Sequence, residues 1–192
     1  YAMVTEVDFY VGRILSELED LGLTNRTIVV FTSDHGEWLG EHLRYGKGYP
    51  AHDCVSRVPL IIRAPDAPAG LQIQSIVEAV DVLPTLLELA AIQPPPHLQG
   101  RSLVPLLYAQ SQEGQPCAMT EYAGWKTIRT REFRYVINSD GSELLFDLRQ
   151  RLGEYRDVSR EADYADVIAE HRHLLLQRLV EMERPLPRTW PY

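Results

Sequence analysis

The sequence has few lysines, few cysteines and no excess of positive charge. Only two of its 19 basic residues are lysines, Lys47 and Lys126. With 27 acidic residues the formal net charge is -8, which argues against nucleic acid or an anionic membrane surface as the main partner. Two cysteines, Cys54 and Cys117, are too few for a disulfide framework and predict free thiols. No apolar run approaches the roughly 18 residues of a membrane span, so we expect no membrane span.

The chain is long enough to bury a core of its own. It has 192 residues, of which 45% are hydrophobic, and chains of this size bury most of their apolar surface without disulfides. It starts with Tyr1-Ala2-Met3 and enters an amphipathic pattern at once, without a polar leader or signal peptide. We therefore expect a segment of a longer polypeptide.

Hydrophobic patterning predicts an α/β unit over residues 1–115. Apolar residues from Val4 to Leu21 have the spacing of a helix that lays one stripe on a core. Thr27 to Thr32 is a β-branched and aromatic run, typical of a central parallel strand buried on both faces. A second short strand is predicted from Val58 to Arg63. Helices are expected after Asp81 and from Leu103 to Tyr108.

Residues 116–192 follow a different pattern, which predicts a small antiparallel sheet and a packing helix. Turn residues such as Asp140-Gly141 separate the strand-length runs, as in an antiparallel meander. A helix is expected from Tyr164 to Glu183, and the proline-containing tail from Pro185 to Tyr192 is expected to be extended. The four predicted strands are Cys117 to Tyr122, Trp125 to Thr130, Phe133 to Asn138 and Glu143 to Leu148.

The polar segment from Ser33 to Arg57 is the candidate functional loop. Ligands of α/β proteins bind beyond the carboxyl ends of the parallel strands, where this segment starts. A carboxylate and an imidazole in Asp34 and His35 are half of a plausible divalent metal site, and Gly36 permits a sharp bend. The alternative is that Asp34 caps a short helix starting at Gly36, with His35 as a surface histidine.

Further candidates lie later in the loop. Lys47 stands between two glycines, so its backbone can approach a ligand and its ammonium group can bind an anion. His52 and Asp53 could pair, which would fix a tautomer in which His52 donates a hydrogen bond or a proton. Arg57 precedes a strand and is either a substrate-binding residue or an anchor of the loop to a carboxylate.

An ordered series of motifs resembles the sulfatase family of the alkaline phosphatase superfamily, over nearly the whole chain. The segment from Thr27 to Glu37, TIVVFTSDHGE, resembles the family's metal-binding strand end. The other matching segments are LGEH at 39–42, GKG at 46–48, RVPLIIR at 57–63, VDVLPTLLELA at 80–90, GRSL at 100–103, WKTIRT at 125–130, FRYV at 133–136, LFDL at 145–148 and GEY at 153–155.

The resemblance implies a fold, a reaction and roles for individual residues. The fold is the C-terminal part of an alkaline-phosphatase-like α/β core, followed by a small antiparallel sheet with a packing helix. The reaction is hydrolysis of a sulfate ester, with a small molecule or a sulfated sugar as substrate. Asp34 and His35 match metal ligands, for Ca²⁺ or else Mn²⁺ or Mg²⁺, and Lys47 matches the lysine that holds the sulfate. His52 resembles a substrate-facing histidine of the family. The catalytic candidates are therefore Lys47 and His52. The substrate-binding candidates are the same two residues and Arg57.

Two parts of the family pattern are absent from the sequence. The nucleophile of the family is a formylglycine made from a C/S-x-P-S-R motif, and an Asp-Asp pair supplies the first metal ligands. Cys54-Val-Ser-Arg57 lacks the proline, has another spacing and follows the metal motif, so we interpret Cys54 as structural. We expect a C-terminal fragment that is inactive by itself, with the formylglycine in an N-terminal half, and apolar surface that favours self-association. The alternatives are a phosphonate or phosphate ester hydrolase of the same superfamily and a non-catalytic sulfatase-like binding fragment.

Overall fold

The structure is a computed structural model that describes residues 1–183; the predicted extended tail lies outside the described residues. Short 3-10 turns connect several of its helices and strands. The helices of the described part are α1 (Ala2–Asp20), α2 (Asp53–Ser56), α3 (Val82–Leu89), α4 (Val104–Leu107) and α5 (Ala165–Met182). The strands are β1 (Val29–Thr32), β2 (Leu60–Arg63), β3 (Ala118–Tyr122), β4 (Trp125–Arg129), β5 (Phe133–Asn138) and β6 (Glu143–Asp147).

The C-terminal sheet is the predicted antiparallel meander. Its strands lie in the order β3-β4-β5-β6, and each pairs with the next one along the chain. At the β5–β6 turn Gly141 has a positive φ of 82°, and the Asp140 carboxylate accepts the backbone N–H of Ser142 at 2.8 Å. Turn chemistry of this kind sets the strand register, and the prediction of an antiparallel sheet is confirmed.

The main core lies between this sheet and α5. Ile128, Tyr135 and Leu145 come from three adjacent strands and have no exposed surface, and they pack with Ile168 and Leu175 of α5. Burial of a large apolar side chain contributes roughly 1.5–3 kcal/mol. The predicted final helix is thus confirmed, and it fixes one face of the sheet.

The prediction that the first strand is parallel and buried on both faces is wrong in this structure. β1 pairs antiparallel with β2, in a two-stranded sheet where Val30 is opposite Ile62. Phe31 is 39% exposed and Ile61 is 62% exposed. A continuous apolar run is typical of a strand with two covered faces, but no other strand of residues 1–183 extends this sheet.

The first helix is present, but its apolar stripe is not buried. None of its residues is buried, and Val4, Val7, Phe9 and Ile14 are each more than half exposed. The periodicity predicts which face of α1 is apolar, but burial of that face needs another element packed against it. No element of residues 1–183 covers it. Self-association through this face stays a prediction. None of the helices within residues 1–183 is both long enough and apolar enough to cross a membrane.

Candidate metal and anion site

The candidate site begins where β1 ends. Residues 33–38 form an open loop, so the alternative in which Asp34 caps a short helix is wrong. The Asp34 carboxylate instead accepts the backbone N–H of His35 at 2.9 Å, while the Ser33 hydroxyl donates to the His35 carbonyl at 2.9 Å. These local bonds hold both side chains at the carboxyl end of the strand.

The Nε2 atom of the His35 imidazole lies close to two charged side chains, those of Asp34 and Lys47. Its Nδ1 lies 2.8 Å from the carbonyl oxygen of Gly36. Because a carbonyl only accepts, Nδ1 carries the proton, which leaves a lone pair on Nε2. That Nε2 lies 3.4 Å from Asp34 Oδ2 and accepts a hydrogen bond from Lys47 Nζ at 2.7 Å, so a bound metal ion would take the place of this lysine bond. An imidazole nitrogen whose partner nitrogen is fixed by a hydrogen bond is a preoriented metal ligand.

A turn with two glycines brings Lys47 to this position. Gly46 and Gly48 have φ values of 82° and 117°, which L side chains rarely adopt. The Glu37 carboxylate accepts the backbone N–H of Gly46. Because Glu37 directly follows the strand-end segment, this bond ties the lysine turn to the loop that carries Asp34 and His35.

Gly36 allows the loop to contact helix α2 closely. Its N–H donates to the Val55 carbonyl at 2.7 Å, and the N–H of Glu37 donates to the Cys54 carbonyl at 3.0 Å. A Cβ on residue 36 would lie 2.0 Å from the Cys54 carbonyl oxygen. The two carbonyls of α2 therefore set the backbone position of the residues that follow His35.

The donor set suits a divalent ion but does not complete its coordination. The N–H of His35 lowers the pKa of Asp34 below its usual value, so the carboxylate is ionised at neutral pH. A carboxylate is a ligand of Ca²⁺, Mn²⁺ and Mg²⁺, whereas an imidazole is more typical of transition-metal sites, and each of these ions needs further ligands. Residues 1–183 contain no group of three or more His, Cys, Asp or Glu side chains arranged to hold a metal.

His52 directly precedes α2 and is a buried residue. It is 3% exposed, with aromatic ring contacts to Trp38, His42 and Phe146. Its Nδ1 lies 3.5 Å from Glu154 Oε1. The predicted His52–Asp53 pair is therefore wrong, because a carboxylate distant in sequence takes the place of Asp53.

Asp53 and Arg57 belong to a different cluster. The Asp53 carboxylate accepts hydrogen bonds from Arg129 and Arg134 of the C-terminal sheet. Burial alone would raise the pKa of Asp53, but these two arginines outweigh it and lower the pKa. Arg57, with its side chain 75% exposed, lies 3.7 Å from Asp53, as in the alternative that makes it an anchor of the loop.

The structure therefore brings together Asp34, His35 and Lys47. Two residues that matter to this arrangement were not singled out from the sequence, Glu37 and Glu154. Glu37 carries a local signal, since it ends the strand-end motif. Glu154 lies in the GEY segment of the family resemblance, but nothing in the sequence indicates its contact with the Asp53 N–H, 101 positions away.

Cys54 lies in α2 and has a poorly reactive thiol. Burial, with a smaller effect of Glu41, raises the pKa of Cys54 to about 11. The thiol is therefore protonated at neutral pH. This agrees with a structural role for Cys54.

Comparisons with known proteins show which sequences and folds this chain resembles. The Sulfatase family model matches residues 1–92. The phosphonate monoester hydrolase of Agrobacterium radiobacter superimposes with a TM-score of 0.85 and 32% identity, over 94% of this chain and 40% of that chain. A protein solved in complex with its substrate D-glucosamine-2-N,6-O-disulfate superimposes with a TM-score of 0.78 and 29% identity, over 94% of this chain and 39% of that chain.

A relative in sequence is Arylsulfatase K of Bos taurus, 35% identical over 175 residues. That alignment covers 83% of this chain and 32% of the relative, so the chain spans about a third of the length of the curated relatives it matches. The fold is that of the α/β alkaline phosphatase superfamily, to which the structural relatives belong. Within that superfamily, the chain belongs to the sulfatase family.

Proposed function

We propose that this chain is part of a metal-dependent sulfatase that hydrolyses sulfate esters. The observation that carries the proposal is the convergence of Asp34, His35 and Lys47 at the end of β1. Their arrangement supplies anionic and neutral metal ligands next to a fixed cation. Both are needed where a tetrahedral anion gains charge during ester cleavage.

Each of the three residues has a specific proposed role. Asp34 and His35 would hold the divalent ion, with Ca²⁺ as the first candidate and Mn²⁺ or Mg²⁺ as alternatives. When bound, this ion would supply electrostatic stabilisation of the sulfate group. Lys47 would bind a sulfate oxygen and stabilise the charge that develops on the leaving oxygen, because its ammonium group is held beside the metal ligands.

His52 and Arg57 stay predictions as substrate-binding residues. The burial of His52 between aromatic rings leaves little of its surface for substrate. The pairing of Arg57 with Asp53 supports anchoring of the loop more than contact with substrate.

The proposed reaction needs groups that residues 1–183 do not supply. We propose that this chain corresponds to the C-terminal part of a longer sulfatase, which carries a formylglycine nucleophile and the remaining metal ligands elsewhere. The share of the relatives that the chain spans supports this proposal. By itself the 192-residue chain is then expected not to turn over sulfate esters, because its sequence lacks the C/S-x-P-S-R motif that supplies the formylglycine nucleophile.

A sulfated sugar is the proposed substrate class, with a small aryl sulfate as the practical probe. One structural relative has a disulfated glucosamine as its substrate. A second candidate function is phosphonate monoester hydrolysis, which the similarity to the Agrobacterium radiobacter enzyme supports.

The test is a paired assay of the natural full-length protein on an aryl sulfate and a matched phenyl phosphonate, with the bound metal analysed. The proposal expects a higher kcat/KM for the sulfate and a divalent ion in the protein. A preference for the phosphonate would favour the second candidate. Hydrolysis of neither ester would favour a non-catalytic sulfatase-like protein.

A further inference from the structure

A buried ion network joins the C-terminal sheet to helix α2. Arg134 of β5, with its side chain 1% exposed, donates from Nε to Glu154 and from Nη2 to Asp53 Oδ1 at 2.6 Å. Glu154 also accepts the backbone N–H of Asp53 through Oε2 at 2.8 Å. Glu154 thus binds the first residue of α2 and the buried arginine at the same time.

Two further contacts hold α2 to the sheet. Arg129 of β4 donates to both carboxylate oxygens of Asp53, from Nε and Nη2, each at 3.0 Å. Arg134 Nη2 also donates to the Ser56 hydroxyl at 3.2 Å. Paired guanidinium–carboxylate bonds of this kind fix geometry as well as charge. Both ends of α2 are therefore held by side chains from the sheet.

Backbone carbonyls of α2 also bind the loop that carries the candidate site. The Val55 and Cys54 carbonyls accept the N–H groups of Gly36 and Glu37. Gly36 in turn supplies the carbonyl that fixes the His35 ring, at 2.8 Å from Nδ1. Any displacement of α2 away from the sheet would therefore move the group that sets the tautomer and orientation of a proposed metal ligand.

We propose that Glu154 and Arg134 are positioning residues for the sulfatase site, an inference that rests on the proposed function. They act through α2, which holds Gly36 so that the His35 ring presents Nε2 beside Asp34 and Lys47. Removal of the Glu154 carboxylate would leave a buried guanidinium with fewer partners and would deprive the Asp53 N–H of its acceptor. Loss of such supporting bonds around metal ligands typically reduces metal affinity or activity by about 10–100-fold.

The sheet offers a matched control in Glu143. Its side chain is 16% exposed and that of Glu154 is 13% exposed, and each pairs with one arginine. Glu143 binds Arg172 of α5, together with the Tyr135 hydroxyl, and makes no bond to α2. Glu143→Ala therefore perturbs the packing of the sheet against α5 without the proposed connection to the site.

The experiment compares Glu154→Ala, Glu154→Gln, Asp53→Asn and Glu143→Ala in the natural full-length protein. Calorimetry measures the Kd for Ca²⁺ and, separately, for Mn²⁺; thermal unfolding gives Tm, and an aryl sulfate assay gives kcat/KM. We expect Glu154→Ala and Asp53→Asn to weaken metal binding and lower kcat/KM by about 10–100-fold. Glu154→Gln keeps an oxygen acceptor for the Asp53 N–H and should lie between Glu154→Ala and wild type. Glu143→Ala should lower Tm and leave the metal Kd within about twofold of wild type.

The inference is overturned if Glu154→Ala lowers Tm as Glu143→Ala does while its metal Kd and kcat/KM stay near the wild-type values. If Glu154→Ala does not fold, Glu154→Gln and Asp53→Asn decide by the same criteria. A wild-type protein that binds metal but hydrolyses neither ester contradicts the proposed function and still tests this inference, since metal affinity is measured independently. A wild-type protein that binds no divalent ion contradicts both.

Discussion

The ammonium nitrogen of Lys47 lies 2.7 Å from Nε2 of His35, although the two residues are twelve positions apart in sequence. Two features produce this contact. The left-handed glycines on either side of Lys47 turn the chain back, and Glu37 binds the N–H of Gly46. The contact puts a fixed positive charge next to the nitrogen proposed as a metal ligand, so anion binding and metal binding are properties of one loop.

Lys47→Ala should abolish most of the sulfate ester hydrolysis of the full-length protein. Removing a group that stabilises developing charge typically lowers kcat by about 10²–10³-fold. Lys126→Ala is the matched control, because this lysine lies on β4 and pairs with Glu121 across the sheet. Steady-state kinetics on an aryl sulfate would measure both variants. Equal losses in the two would show that Lys47 has no special role.

Gly36→Ala should destabilise the protein and disturb the site. The added Cβ would lie 2.0 Å from the Cys54 carbonyl oxygen, and backbone atoms cannot rotate away. We expect a loss of about 1–3 kcal/mol, as for other overpacked sites. Gly12→Ala in α1 meets nothing within 4 Å and should instead stabilise its helix by about 0.5–1 kcal/mol. Urea unfolding measures the change in the free energy of unfolding, which should be negative for Gly36→Ala and positive for Gly12→Ala. A Gly36→Ala protein as stable as wild type would rule out the close contact with α2.

The Cys54 thiol should react slowly with iodoacetamide at neutral pH. Because burial raises its pKa to about 11, the reactive thiolate is a small fraction of the thiol at pH 7. The alkylation rate should rise about tenfold per pH unit, without a plateau below pH 10. Peptide mapping by mass spectrometry separates Cys54 from Cys117. A plateau near the pKa of an ordinary thiol, about 8.5, would contradict this prediction.

Asp147 should make the folded state sensitive to strong acid. Hydrogen bonds from Arg149, and a further one from the Tyr164 hydroxyl, lower the pKa of Asp147 to about 2. The unfolded chain takes up this proton at higher pH, so the stabilisation is complete above about pH 4 and is lost as the pH falls towards 2. Asp147→Asn should cost about 1 kcal/mol at pH 7, less than the full shift implies, because Arg149 is half exposed and water screens the pair.

The check on this prediction is the free energy of unfolding of both proteins between pH 2 and pH 7. The difference between wild type and Asp147→Asn should shrink below pH 4. Asp66→Asn makes the same chemical change at an exposed position and serves as the control substitution. A constant difference for Asp147→Asn across the whole range would show that the carboxylate charge is not the cause.

The sequence predicts the C-terminal sheet and α5 well because their signals are local. Alternating strands, an Asp-Gly turn and an amphipathic helix each act over a few residues, and together they specify a meander covered by α5. The direction of β1 is not a local property. Val29 to Thr32 is apolar enough for a central parallel strand, but its neighbour in the described chain is β2, which runs antiparallel to it.

The site shows the same division between local and distant contacts. Asp34 and His35 are adjacent, and the glycines beside Lys47 indicate a turn, so these residues could be found from the sequence and its family resemblance. The partner of His52 could not. Asp53 is next to it in sequence, yet Asp53 faces two arginines of the sheet, and the distant Glu154 approaches His52 instead. The boundary between residues 1–115 and 116–192 stays a prediction.

The most direct test of the proposed site is the metal content of the natural full-length protein in wild type and in His35→Gln. Elemental analysis after gel filtration gives the bound metal, and the same samples are assayed on an aryl sulfate. We predict that His35→Gln loses metal and hydrolysis together, while His97→Gln, which alters an exposed histidine outside the loop, keeps both. A His35→Gln protein with wild-type metal content and wild-type turnover would contradict the assignment of Asp34, His35 and Lys47 as the sulfatase site.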